Sequence, residues 1–327
     1  MVKDLATIII PLYNCGHILE KNIDNFIGQT YEHCEFIFVD DNSDDSSYQC
    51  IPKRGNIKVF HHNMQKGPGE ARNTGLIHAN GEFIFFFDGD DCPSKQLVEK
   101  CVNHYKKTKA DIIVFNYFDS DKPGMRRDFS NVQDKIEHPL IFDPAKEGSV
   151  WNKMFLYAII EKYQIRFADN SVANEDICFT TEYISHASKA AFLDEALYTY
   201  VINPNSVTSK RSSDPQSVLR FINSSYYIET VGIKNNYDFS QFLHTFVYKC
   251  LRMAMRNYLN SYEESEKIFS VFYSTERFCN LIEKANSVAG LYSYLYEYIL
   301  SNDFNSVYKF MRTYGKNSIS NSSSSKT

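Results

Sequence analysis

The segment that most constrains how this chain folds is an apolar run that ends in acid, Phe83-Ile84-Phe85-Phe86-Phe87 followed by Asp88-Gly89-Asp90-Asp91. Consecutive bulky apolar residues are held only where both faces of a strand are covered, as in a parallel sheet flanked by helices. The chain then delivers its carboxylates to the strand's carboxyl end, where open α/β sheets bind their ligands. Crowded carboxylates repel one another until a cation or protons relieve them. The cluster therefore suits a metal ion bound to phosphates. It also suits an acidic turn before a helix, with Asp91 and Ser94 capping a helix around Gln96 to Tyr105.

Strand and helix patterns alternate on either side of this run. Ala6 to Leu12 reads as a buried strand, Gly16 to Gln29 as a helix, and Glu35 to Val39 as a strand running into Asp40-Asp41-Asn42-Ser43-Asp44-Asp45. Asn56 to His61 gives a third strand, Gly67 to Ala79 a helix behind a Gly-Pro-Gly turn, Glu82 to Phe87 the acid-ended strand, and Asp111 to Tyr117 a further strand. This alternation predicts an α/β domain with a Rossmann-like, mostly parallel sheet and helices on both faces.

Between Asp119 and Pro144 the pattern gives way to a polar, charge-mixed excursion. It resumes with Trp151 to Phe155 leading into a helix at Leu156 to Tyr163, a helix at Glu175 to Ser185 and a strand at Ala191 to Val201. Asn203 to Pro215 has the turn-rich composition of a loop, either a linker or a segment able to close over a ligand with Lys210 and Arg211. From Gln216 onward the chain reads as helices rich in Tyr and Phe, with Leu243, Phe246, Val247, Cys250, Leu251 and Ala254 at helical spacing. The organisation expected is a sheet domain over 1–215, a helical domain over 216–318 and a disordered tail over 319–327.

A length of 327 residues is ample for a sizeable core, and a net charge of −5 argues against nucleic acid as a partner held by bulk electrostatics. Eight cysteines occur with no pair at zinc-ligand or redox-motif spacing, so they read as reduced, mostly buried thiols. No leader-like segment opens the chain and no apolar stretch approaches membrane-spanning length, which sets a cytoplasmic expectation. Lys309, Arg312 and Lys316 among aromatic residues leave room for peripheral attachment to the inner face of the cell membrane, although a solvated helix face explains them equally. The tyrosine-rich segment Leu291 to Leu300 likewise leaves room for a homo-oligomer, beside the simpler reading that it packs within the chain.

Other residues should reach the same sheet edge as the acidic run. Tyr13 and the backbone around Pro11 lie at the end of the first strand and give a pocket an aromatic wall, against which a uracil ring can stack while Asp41 accepts its N–H. An Asp-Asn-Ser turn beside a packed tyrosine accounts for the same residues. A calcium loop does not, because Asp45 stands where that loop needs Gly and Ile51 where it needs Glu. Arg72, behind Gly67-Pro68-Gly69, sits where it can meet a nucleotide diphosphate or pair with a local aspartate.

Taken in order, IIIPLYN, EFIFVDDNSDD, KGPGEARNTGL, GEFIFFFDGDD and NEDICF make residues 5–205 resemble the family-2 inverting glycosyltransferases, whose nucleotide-sugar fold is called GT-A. VWNKMF and YTYVINPNSVTS are similar to the bacterial branch that builds capsule, O-antigen or lipooligosaccharide. The resemblance implies a UDP-sugar donor, a glycan or lipid-linked glycan acceptor and Mn²⁺ or Mg²⁺. It implies that Pro11, Tyr13 and Asp41 hold uracil, that Arg72 helps bind the nucleotide, and that Asp88-Gly89-Asp90 is the Asp-x-Asp element. Asp90 would contact the metal, Asp88 the ribose, and Asp91 would be a further ligand. Asp176 would be the catalytic base, with Glu175 orienting it or shaping the acceptor pocket; a helix N-terminal acid is the plainer role for Asp176.

Trp151 offers an indole that suits the C–H face of an acceptor sugar, and it suits a buried core as well. An acid-ended strand also occurs in aspartate-nucleophile phosphohydrolases. Those expect Thr or Val where this chain has Cys92, and they leave Tyr13, Asp41 and Asp176 without tasks. A non-catalytic glycan-binding module would have lost one of these carboxylates, and all are present.

Overall fold

The computed structural model describes residues 1–45, 47–120, 122–125, 148–169, 172–201, 215–236, 247–248, 251, 261–274, 278–280, 282–283 and 293–320. The chain divides into two compact units, one of Met1–Phe142, Glu147–Asn170 and Glu175–Ser209, the other of Asp143–Lys146, Ser171–Asn174 and Lys210–Thr327.

In the first unit the strands are β1 (Val2–Leu12), β2 (Cys34–Asp40), β3 (Ile57–His61), β4 (Gly81–Phe86), β5 (Cys92–Pro93), β6 (Ile112–Asp119), β7 (Lys122–Met125), β8 (Lys153–Leu156) and β9 (Ala190–Tyr200). They join in the order β3-β2-β1-β4-β8-β6-β9-β5, with β7 beside β6. The helices are α1 (Gly16–Ile27), α2 (Pro68–Ile77), α3 (Leu97–Thr108), α4 (Tyr157–Tyr163) and α5 (Glu175–Ile184).

β3, β2, β1 and β4 run parallel, as the alternating pattern predicts. The remainder of the sheet is mixed, with β9 parallel to β6. β8 lies antiparallel between β4 and β6, and β5 and β7 pair antiparallel with β9 and β6. The segment Trp151 to Phe155, read as a lead-in to a helix, supplies that central strand. Met154 and Phe155 are fully buried there, and so short an apolar run carries no periodicity to tell strand from helix entry.

Strand alternation sorts the core into two layers. Ile8, Ile10, Phe83, Phe85 and Phe87 pack with Leu19 and Phe26 of α1 and Leu97, Val98 and Val102 of α3. On the opposite face Phe86 meets the rings of Phe155, Phe167 and Phe179, and Ile9 faces Gly75 of α2. Each fully buried Phe is worth about 1.5–3 kcal/mol, so the run Phe83–Phe87 anchors the sheet from both sides.

In the second unit the described helices are α6 (Pro215–Lys234), α7 (Tyr262–Tyr273), α8 (Ser293–Leu300) and α9 (Phe304–Ser320). Phe269 and Tyr262 of α7 meet Phe304 of α9, and Leu295, Tyr296 and Ile299 of α8 are buried. Of the helically spaced set around 243–254, Val247 and Leu251 are buried, and the others lie outside the described residues. The 126–147 excursion, the 202–214 loop with Lys210 and Arg211, and residues 321–327 also lie outside them.

Candidate functional site

β1, β2 and β4 end at one edge of the sheet, and the polar residues that follow them are tied together there. Asp41 N–H continues the ladder to Leu12 O at 2.9 Å, just before Tyr13, which is 37% exposed, while Pro11 is half-buried. The Asp41 carboxylate is nearly covered. It accepts the N–H groups of Lys66 at 2.9 Å and Gly67 at 2.7 Å and lies 2.6 Å from His62 Nδ1. His62 Nε2 is 2.9 Å from the hydroxyl of Thr74 on α2. Gly67 makes this wrap at φ 92°, a conformation that side chains resist.

The loop after Asp41 serves structure. Asp45 accepts the Gly16 N–H, Ser47 that of Cys15, and Ser43 that of Asn14, so the loop covers the start of α1. These contacts are those of the turn reading of the Asp-Asn-Ser segment. Burial raises the Cys15 thiol to about 12, which leaves it inert beside the site.

α2 projects Arg72 into the interior. Its Nη2–H donates to Asp88 at 2.7 Å, its Nη1 lies 3.6 Å from Glu175, and its guanidinium sits 5.4 Å above the Phe167 ring. Burial opposes the charge, but Asp88, Glu175 and Asp176 outweigh it and raise the Arg72 pKa. Asn73 exchanges two hydrogen bonds with the main chain of Phe167, at 2.9 and 2.8 Å. The helix carrying both residues thus grips the segment before α5, whose first residues are Glu175 and Asp176. Asp176 Oδ1 accepts the N–H of Ile177 at 2.9 Å, a helix-terminal contact.

After β4 the three acids part. Asp88 and Asp90 are half-buried, whereas Asp91 is fully buried and accepts the Val201 N–H at 2.8 Å. Burial first, then the charges of Asp88 and Asp90, push the Asp91 carboxyl well above the usual range. Tyr198, itself buried, accepts the Asp88 N–H at 2.9 Å and so fixes the turn from β9. Gly89 allows the turn to fit, because a Cβ there would stand 2.7 Å from Leu12 Cδ2 and 3.0 Å from Cys15 Sγ.

These residues fit a divalent cation in a limited way. Among the described residues Asp91 Oδ2 is buried without a hydrogen-bond partner, and three carboxylates crowd one turn. Among the described residues no three His, Cys, Asp or Glu side chains converge as ligands. The described residues therefore offer fewer than three such ligands at this turn, and the phosphates of a ligand would have to complete the sphere. Trp151 lies parallel to Tyr198 and Tyr200, at centroid distances of 5.0 and 5.6 Å, and meets Tyr117 edge-on. It is half-buried in an aromatic cluster that continues into the core.

Sequence reasoning did not reach His62, Asn73 or Tyr198 as site-building residues. The adjacent His61 and His62 at the end of β3 were the available signal, since that strand ends at the edge shared by Asp41.

Known proteins are similar to this chain in sequence and in fold. Residues 7–164 match the model for Glycosyl transferase family 2. An uncharacterized glycosyltransferase EpsJ of Bacillus subtilis is 28% identical over 217 residues, covering 62% of this chain and 63% of that protein. A cholesterol galactosyltransferase of Borreliella burgdorferi is 26% identical over 335 residues, covering 93% of this chain and 89% of its own. The crystal structure of S. aureus TarS 1-349 in complex with UDP-GlcNAc superposes with a TM-score of 0.78 at 19% identity, over 96% of this chain and 92% of that one. Over β1 to α4 this chain is thus similar to Glycosyl transferase family 2, and its GT-A-like sheet is similar to that of TarS.

Proposed function

We propose that the protein is an inverting, metal-dependent glycosyltransferase that moves a hexose or N-acetylhexosamine from a UDP-sugar to a hydroxyl of a bacterial surface glycan or its lipid carrier. The observation that carries the reading is the bridge made by Arg72, which links Asp88 at the end of β4 to Glu175 at the start of α5. It brings a donor-binding turn and a second acidic pair into one electrostatic unit, and Asp176 adds its charge to the same guanidinium. The TarS complex with UDP-GlcNAc supports the donor class, and the galactosyltransferase relative supports transfer of a hexose.

In this reading Tyr13 stacks on uracil and Asp41 accepts its ring N–H through the acceptor position left on Oδ2. Arg72 anchors Asp88 beside the ribose. Asp90 and Asp91 would hold a divalent cation, which would supply charge stabilisation for the leaving diphosphate. Asp176 takes the proton of the acceptor hydroxyl as that oxygen attacks the anomeric carbon from the face opposite the leaving group, which inverts the configuration. Glu175 and Trp151 line the acceptor side.

The test is a panel of UDP-sugars with Mn²⁺, read by thermal stabilisation and by UDP release, on the wild type and Asp176→Asn. The wild type is expected to be stabilised by its donor. The variant is expected to bind UDP normally and to turn over about 10²–10⁴-fold more slowly. Unchanged turnover removes Asp176 as base; release of phosphate from simple esters in place of UDP would favour a phosphohydrolase.

A further inference from the structure

Resting on the reading of Asp41 as the uracil acceptor, we propose that His62 is a positioning residue that aims the Asp41 carboxylate and thereby sets the preference for uracil over other pyrimidines. A carboxylate offers about four acceptor positions. Among the described residues three on Asp41 are occupied, two at Oδ1 by His62 and the Lys66 N–H and one at Oδ2 by the Gly67 N–H. The position that remains, on Oδ2, fixes the direction from which a ring N–H can approach.

The two backbone donors belong to an exposed turn, whereas His62 is clamped at both ends, its side chain being 6% exposed. An ionised Asp41 can only accept, so Nδ1 carries the proton in this contact. In the neutral ring Nε2 then accepts from the Thr74 hydroxyl, and α2 holds the imidazole in one tautomer and one orientation. The chain of contacts Asp41–His62–Thr74 thus ties the carboxylate that reads the base to the helix whose Arg72 grips Asp88. A uracil N3–H donates, whereas cytosine presents an acceptor at that atom and would face Oδ2 with two lone pairs. An Asp41 free to rotate would lose that penalty along with its preference.

The experiment measures the affinities of UDP and CDP, with Mn²⁺ present, for the wild type, His62→Ala, His62→Asn and Thr74→Val. The wild type must favour UDP; if it does not, the uridine reading itself fails, and with it the basis of the proposal. Given that preference, His62→Ala is expected to shrink the UDP-to-CDP ratio by about tenfold or more, on the scale of a charge-assisted hydrogen bond. The loss should fall on the KM for the donor more than on kcat. His62→Asn, which keeps a donor near the Nδ1 position, should retain most of the ratio, and Thr74→Val should lie between. A ratio unchanged in His62→Ala overturns the proposal, as does an unchanged ratio in Thr74→Val if the alanine chain is not recovered folded. A loss of stability with the ratio intact would make His62 a structural histidine only.

Discussion

Asp90 and Asp91 are neighbours of one residue type in different surroundings. Asp91 is taken out of solvent by the end of β9, whereas Asp90 keeps a half-buried carboxylate at the edge. In the proposed mechanism Asp90 carries the metal-dependent part of nucleotide binding. Asp90→Ala is therefore expected to bind UDP with an affinity that no longer responds to Mn²⁺, which calorimetry with and without the ion measures directly; an undiminished response would assign the ion elsewhere. At this scale the sequence displayed the acids, since a run of apolar residues ending in Asp needs no partner to be noticed. It did not display Tyr198 or His62, because their roles consist of contacts with residues distant in the chain, Asp88 and Thr74 among them.

At the level of elements, the site is made by where strands stop. The turn after β4 fits against the end of β1 because Gly89 has no Cβ, and Leu12 Cδ2, Cys15 Sγ and Pro11 O occupy the space one would need. Gly89→Ala is expected to cost about 1–3 kcal/mol, the usual range for an overpacked core position, and to weaken UDP binding by displacing Asp88 and Asp90. Chemical denaturation and calorimetry on the same samples check both effects. The positions of β1, β2, β3 and β4 were legible from apolar runs and turn residues, although β1 begins at Val2 rather than Ala6. β8 was not, since its four residues carry no period and its direction is set by the neighbours it fits between.

Across the sheet unit as a whole, the end opposite the site is held by a buried carboxylate. Glu35 accepts from the Thr7 hydroxyl and from both the backbone and side chain of Asn80, and pairs with Lys58. Burial alone would raise its pKa; these donors outweigh burial and lower it beneath the ordinary 4.5. A depressed carboxylate contributes stability that is present above its unfolded pKa and disappears as pH falls through the folded value. Melting temperature is therefore expected to drop as pH is taken below about 4.5, and Glu35→Gln to lower it at neutral pH while flattening that acid limb. An identical pH profile in the variant would place the acid sensitivity elsewhere. By itself the sequence determined the alternation of strands and helices in the first two-thirds, the acid-ended strand and the resemblance to family 2, because periodicity and ordered motifs are local properties of the chain. Only the tertiary structure decided that the sheet is mixed, that Asp91 is buried while Asp90 is not, and that Arg72 joins two acidic motifs. Burial and pairing depend on which distant segments arrive at the same edge, and packing settles that.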